Sequence, residues 1–319
     1  MRPAQLCAQH LMLLSLLLVT MVVVLVAHRV EGEFSNQPGP PPGQESLSDY
    51  EQLPAAGTAT DPVSWQVSQK LMTVNGQAVN VTTFTLPTPA FQFAVFPPKG
   101  GCPGRVLTSV TAPAANCLAA MNAGFFDMKT GECLGNLISK GVPLLEQATQ
   151  RVNLGLGKQG FTVGYLSSQD LQALQPSLQY LVSGAGWLIR QGQPYLNHSI
   201  PLEGLAPKFV TEKAPRTAVV LRPVPSSSSF SPSQVPHELL LVEVDGNERK
   251  LQGLDLMEWQ SLLLGEPFHA QYAVNLDGGG SATMWTHTQG VINQPSDLCK
   301  QDPKHQCERT VTSIVCVVE

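Results

Sequence analysis

From Val63 onward the apolar residues of this chain come in short runs, each cut off by glycine, proline or asparagine. Val79–Leu86, Phe91–Phe96, Cys117–Met121, Phe161–Leu166, Thr217–Leu221, Leu239–Val244, Ala273–Leu276 and Thr310–Val318 read as strands. Asp245-Gly246 is a hairpin-turn signal after one of them. Leu254–Leu264 has apolar residues at near-helical spacing and predicts a helix, and Leu171–Leu181 predicts a second. Ser226–Ser233 reads as a flexible surface insertion, and no internal repeat is present. The expectation is an α+β fold, a single sheet-dominated domain with few helices over residues 63–319.

What precedes that body has two other textures. Residues 33–62 are poor in apolar side chains and contain Pro38-Gly39-Pro40-Pro41-Pro42-Gly43, which predicts a solvated stalk or pro-segment. Leu11–Ala27 is uncharged and would measure roughly 26 Å as a helix, close to a thin bilayer of about 27 Å. Residues 1–32 are therefore read as a signal peptide cut near Gly32, or as an anchor that holds the body at a membrane. Both send the body to the lumen of the secretory pathway.

Cysteine usage agrees with an oxidising compartment. Cys7 lies outside the body, leaving Cys102, Cys117, Cys133, Cys299, Cys307 and Cys316. An even count there implies three disulfides. Cys299 and Cys307 flank a short polar loop and suit a local bridge. Among the other four, Cys117 and Cys316 sit in strand-like runs and Cys102 and Cys133 in glycine-rich loops, which favours Cys117–Cys316 and Cys102–Cys133. His305 beside Cys307 is too small a set for zinc in that setting. No other cluster calls for a metal, and no cofactor is expected. Asn80-Val81-Thr82 and Asn197-His198-Ser199 are glycosylation sequons. With a net charge of −5 and no basic run, a nucleic-acid partner is excluded.

Three clusters carry the chemical signal. Asn275-Leu276-Asp277-Gly278-Gly279-Gly280-Ser281 runs a strand into a carboxylate, three glycines and a hydroxyl. Such glycines allow main-chain N–H groups to line an anion-binding concavity beside Asp277. No lysine follows them, so this is not a nucleotide phosphate loop of the Walker type. The second cluster is Asn122-Ala123-Gly124-Phe125-Phe126, followed by Glu132-Cys133. Here Asn122 could bond a sugar hydroxyl, Phe125 could face a pyranose ring, and Glu132 is the nearest acid or base. In the third, Pro215-Arg216-Thr217, a lone guanidinium opens an apolar strand. A fork of that shape grips a phosphate bidentately.

Together these strings resemble the phosphodiester glycosidase family over roughly Gly100 to Val318. The resemblance rests on residues 122–136, 163–166, 181–192, 215–219, 275–283 and 295–299, in family order. Ala123 and Val220 stand where the family usually has glycine. The resemblance implies hydrolysis of a GlcNAc-α-phosphodiester-mannose on the N-glycans of lysosomal hydrolases, exposing mannose 6-phosphate in the Golgi lumen. The partners it implies are phosphorylated high-mannose glycans, with membrane attachment only through residues 11–27. A phosphomonoester is a good leaving group, with its second pKa near 6. Arg216, Ser281 and the amides of Gly278, Gly279 and Gly280 are then assigned to the anion, and Asp277 and Glu132 to the anomeric carbon. Two rival readings are a glycosidase for another sugar phosphate and a lumenal protein that binds phosphorylated glycans without cleaving them.

Overall fold

The computed structural model describes residues 47–57, 64–89, 92–147, 150–224 and 235–319. The apolar run Leu11–Ala27, most of the segment read as a stalk and the serine-rich stretch Ser226–Ser233 lie outside them. Four antiparallel sheets and five short α-helices make up the described fold.

The seven-stranded sheet has the order β12 (Gln193–Pro194), β11 (Trp187–Arg190), β15 (Tyr272–Leu276), β13 (Arg216–Pro223), β14 (His237–Val244), β3 (Gln77–Leu86), β2 (Gln66–Val74). A six-stranded sheet runs β1 (Asp49–Leu53), β9 (Gly160–Tyr165), β8 (Val152–Gly157), β10 (Leu178–Ser183), β6 (Leu137–Ser139), β7 (Val142–Leu145). A five-stranded sheet runs β17 (Gly290–Val291), β16 (Met284–Thr286), β5 (Ala119–Asn122), β20 (Ile314–Val317), β4 (Phe93–Phe96). The pair β18 (Asp297–Leu298) and β19 (Gln306–Cys307) stands apart.

Side-chain alternation along β13 decides what each face of the large sheet meets. Val219 and Leu221 join Leu154, Val163, Met121 and Val315 in a core shared by the three large sheets. Ala218 and Val220 face the opposite way, into a second core with Leu196, Trp259 and Leu263. That second layer is helical: α3 (Leu196–Glu203), α4 (Pro207–Thr211) and α5 (Leu256–Leu264). Two further helices, α1 (Thr108–Ala114) and α2 (Ser168–Leu174), lie elsewhere in the chain. Arg216 shares the parity of Ala218 and so points toward the helices.

All eight predicted strands exist, with shifted ends, and the six body cysteines pair as Cys102–Cys133, Cys117–Cys316 and Cys299–Cys307. Helix α5 starts at Leu256 because Asp255 and Glu258 form a reciprocal cap. The helix predicted over Leu171–Leu181 ends at Leu174, since Pro176 two residues on has no N–H to continue it; Leu178–Ser183 then extends as β10.

Two boundaries differ from the sequence reading. Residues 49–53, assigned to the stalk, form an edge strand paired with β9. Leu53 is buried, and Asp49 and Glu51 each bind Arg190 at 2.7 Å. One buried leucine and two ion pairs are invisible to a test based on apolar content. Asp245-Gly246 is not a hairpin: its carboxylate accepts the Gln294 N–H, and an Asn247–Gln252 bridge closes a small loop around the 3-10 turn Glu248–Lys250.

Candidate active site

Strands β13 and β15 pair in a register that sets Thr217 opposite Leu276. Arg216 and Asp277 therefore leave the same end of the sheet side by side. The loop that follows is fastened from three directions. Asp277 N–H donates to Ala123 O at 3.0 Å, joining it to the segment after β5. Asn122 Nδ2 and Thr217 Oγ1 both donate to Asp277 O, at 2.5 and 2.9 Å. Gly279 N–H donates to Pro215 O at 2.9 Å.

Around this loop the structure gathers charge that is distant in sequence. Arg309 makes a bidentate pair with Asp297 at 2.8 and 2.9 Å and reaches Glu248 at 3.8 Å. Burial pushes the Asp277 carboxyl up to about 7, and the charge of Glu248 adds to the rise. Ser281 and Arg309 pull it partly back. The Ser281 hydroxyl is buried beside Asp277 without a fully formed hydrogen bond. Glu248 is itself raised, mainly by burial, with Arg309 and Arg216 opposing. Two carboxyls with elevated pKa values, flanked by two guanidiniums, form an arrangement suited to proton transfer near neutral pH.

A family model described as phosphodiester glycosidase matches residues 115–318. The chain belongs to the phosphodiester glycosidase family. It is 36% identical over 258 residues to an N-acetylglucosamine-1-phosphodiester alpha-N-acetylglucosaminidase of Mus musculus, covering 76% of this chain and 46% of that protein. The protein of that name from Homo sapiens is 35% identical over 244 residues, covering 72% of this chain and 44% of the relative. The chain thus spans less than half the length of the curated relatives it matches. Among solved structures, the zebrafish catalytic domain of that name, described as auto-inhibited by its pro-peptide, superposes with a TM-score of 0.72 at 30% identity. That match covers 85% of this chain and 88% of the zebrafish one.

Within this family member several residues chosen from sequence have other duties than expected. Asn122 is fully buried and spends both ends of its amide on the loop, donating to Asp277 O and accepting from Thr283 N–H. It fastens the loop from inside the fold, and its burial keeps it from a sugar. Phe125 is buried and packs edge-on against Phe209 at 5.8 Å, so its face is not open to a pyranose. Glu132 is exposed on the hairpin that pairs Phe126 with Cys133, and among the described residues its carboxylate contacts no member of the Asp277 cluster.

The glycines are also required for a different reason. A Cβ on Gly279 would overlap the Glu248 carboxylate, and one on Gly280 would overlap Arg309 and Asp297. The amide of Gly279 is already spent on Pro215, and that of Gly278 turns to the Asp277 carboxyl. The three glycines admit charged side chains to the backbone; they do not form an open row of amide donors.

Arg216 is 3% exposed, and three of its N–H groups go to carbonyls: Nε to Leu254 O at 2.9 Å, Nη2 to Phe209 O at 3.1 Å and Glu212 O at 2.5 Å. Burial lowers its pKa to about 10. Sequence reasoning missed Glu248 and Arg309. Glu248 follows the motif read as a hairpin, and Arg309 lies just beyond Cys307, so only the fold links either to Asp277. Asn80 and Asn197 are both exposed, although the Ser199 hydroxyl of the second sequon is buried against Glu203.

Proposed function

We propose that this protein is a lumenal glycosidase that cleaves the sugar C1–O bond of a GlcNAc-α-phosphodiester, releasing GlcNAc and leaving mannose 6-phosphate on glycans of lysosomal hydrolases. The observation that carries this reading is the apposition of Asp277 and Glu248 across the glycine loop, in a chain related to proteins named for that activity. The departing phosphomonoester needs no strong acid to protonate it. The work falls on the anomeric carbon. Asp277, near pKa 7, accepts the proton of the attacking water as its oxygen bonds to C1. The C1–O bond breaks and its electron pair leaves with the phosphate. Glu248, steadied by Arg309, faces the positive charge that develops on the ring.

The three disulfides and two exposed sequons support a lumenal location, with residues 11–27 either removed or retained as an anchor. The test is incubation of folded protein with a synthetic GlcNAc-α-phosphomannoside and chromatography for free GlcNAc. Release by the native protein, with at least a hundredfold loss in Asp277→Asn and Glu248→Gln, is expected. No release, or release unaffected by both changes, overturns the reading.

A further inference from the structure

We propose that Arg151 supplies the guanidinium that binds the phosphate of the ligand, in place of Arg216. The inference rests on the phosphodiester reading above and specifies its anion site. The other arginines near the loop have polar partners: Arg216 gives Nε and Nη2 to three carbonyls, and Arg309 is paired with Asp297 and Glu248. Arg105 donates to Met128 O and lies over Phe126.

Arg151 differs from all of them. It enters β8 half-buried, and among the described residues its guanidinium makes neither hydrogen bond nor ion pair. Its guanidinium carbon lies 5.9 Å from the Phe125 ring. The nearest influential carboxylate, Glu203, already accepts from Gly186 N–H at 3.0 Å, Trp187 N–H at 3.2 Å, Tyr165 Oη at 3.1 Å and Ser199 Oγ at 2.5 Å. Glu203 steadies Arg151 through space without bonding it, while burial pulls the guanidinium pKa down. A desolvated cation with unused donors is costly unless an anion completes it.

A chain of contacts links Arg151 to the Asp277 loop. The stem of Arg151 is held under Gly135, where an added Cβ would come within 3.3 Å of Cδ and would overlap Ser183. That glycine has φ +91°, so the loop can close over the stem while the head stays free. Phe125 packs on Phe209, and the Arg216 guanidinium lies 5.3 Å from the Phe209 ring. Arg151 and Arg216 thus flank one aromatic pair, and Phe125 is two residues from Ala123, which holds Asp277. A planar fork with free N–H groups on this edge suits two phosphate oxygens of a sugar phosphate.

The experiment titrates native protein, Arg151→Gln and Arg151→Lys with mannose 6-phosphate and with mannose, by calorimetry, and runs the three on GlcNAc-α-phosphomannoside and on an uncharged aryl α-GlcNAc glycoside. Native protein is expected to bind mannose 6-phosphate and not mannose. R151Q should bind it at least tenfold more weakly and raise KM for the phosphodiester at least tenfold, with kcat/KM for the aryl glycoside within about twofold. R151K, which keeps the packed stem and the charge but not the fork, should fall between, and it carries the test if R151Q does not fold. Native-like mannose 6-phosphate affinity in R151Q, or in R151K where only that variant folds, overturns the proposal, as does its absence in native protein. Binding of mannose 6-phosphate that depends on Arg151 without turnover of any substrate would leave the anion site standing and sink the hydrolytic reading.

Discussion

Glu248 rests its carboxylate on the Cα of Gly279, in the space that any side chain at position 279 would fill. The residue has φ +57°, so substitution is disfavoured by backbone and by neighbour alike. Gly279→Ala is expected to push Glu248 from its place beside Asp277. A displacement near 1 Å costs on the order of a hundredfold in rate. Steady-state kinetics on the phosphodiester, with circular dichroism to show a retained fold, checks this.

The pH dependence follows from Asp277. With its pKa pushed up to about 7, kcat/KM should rise with pH through a limb centred near that value, because the ionised form is the base. Glu248→Gln removes a like charge and should move the limb of the residual activity to lower pH. Arg309→Gln removes a favourable charge and should move it higher.

The same group has a stability signature of defined sign. Its folded pKa lies above its unfolded one, so native stability falls as pH rises from about 4 to about 7 and levels off above. Asp277→Asn should therefore be more stable than the native protein at pH 8, by roughly 1–3 kcal/mol after allowance for partial exposure. Thermal melts should show a difference that is larger at pH 8 than at pH 5.

A second buried carboxyl behaves alike. Glu243 is fully buried, accepts from Asn293 at 3.1 Å, and is held well above the usual carboxylate range by burial and by Asp245. One of its oxygens has no partner. Glu243→Gln should raise Tm more at pH 8 than at pH 5, because the folded protein holds this carboxyl protonated while the unfolded chain ionises it as pH rises. Equal shifts at both pH values would count against this account.

Breaking Cys117–Cys316, which joins β20 to the segment before β5 across 199 residues, should cost about 2–5 kcal/mol. Cys299–Cys307 closes a much shorter loop, and its loss should act mainly on turnover. Cys307 pairs with Asp297, the carboxylate that holds Arg309. Denaturant titration and kinetics on the two double alanine variants separate the effects.

Much of the fold was legible in the chain because strands advertise themselves locally. Apolar runs bounded by turn residues need no knowledge of the partner strand, and cysteines in like settings found each other. Asp277 was legible too, as a carboxylate at a strand end ahead of three glycines. What the sequence could not reveal was which charges meet across the fold. Glu248 stands 29 residues before Asp277 and Arg309 stands 32 after it, and no periodicity connects them. Arg216 looked like a free cation because the carbonyls that occupy it come from α4, the turn after it and the segment before α5. Arg151 has no sequence signature of its own, because it is the Gly135 loop and the Phe125 ring, both distant in sequence, that surround it. Local patterning determines the elements, whereas a side chain's freedom to bind depends on which donors and acceptors are already satisfied, and packing alone decides that.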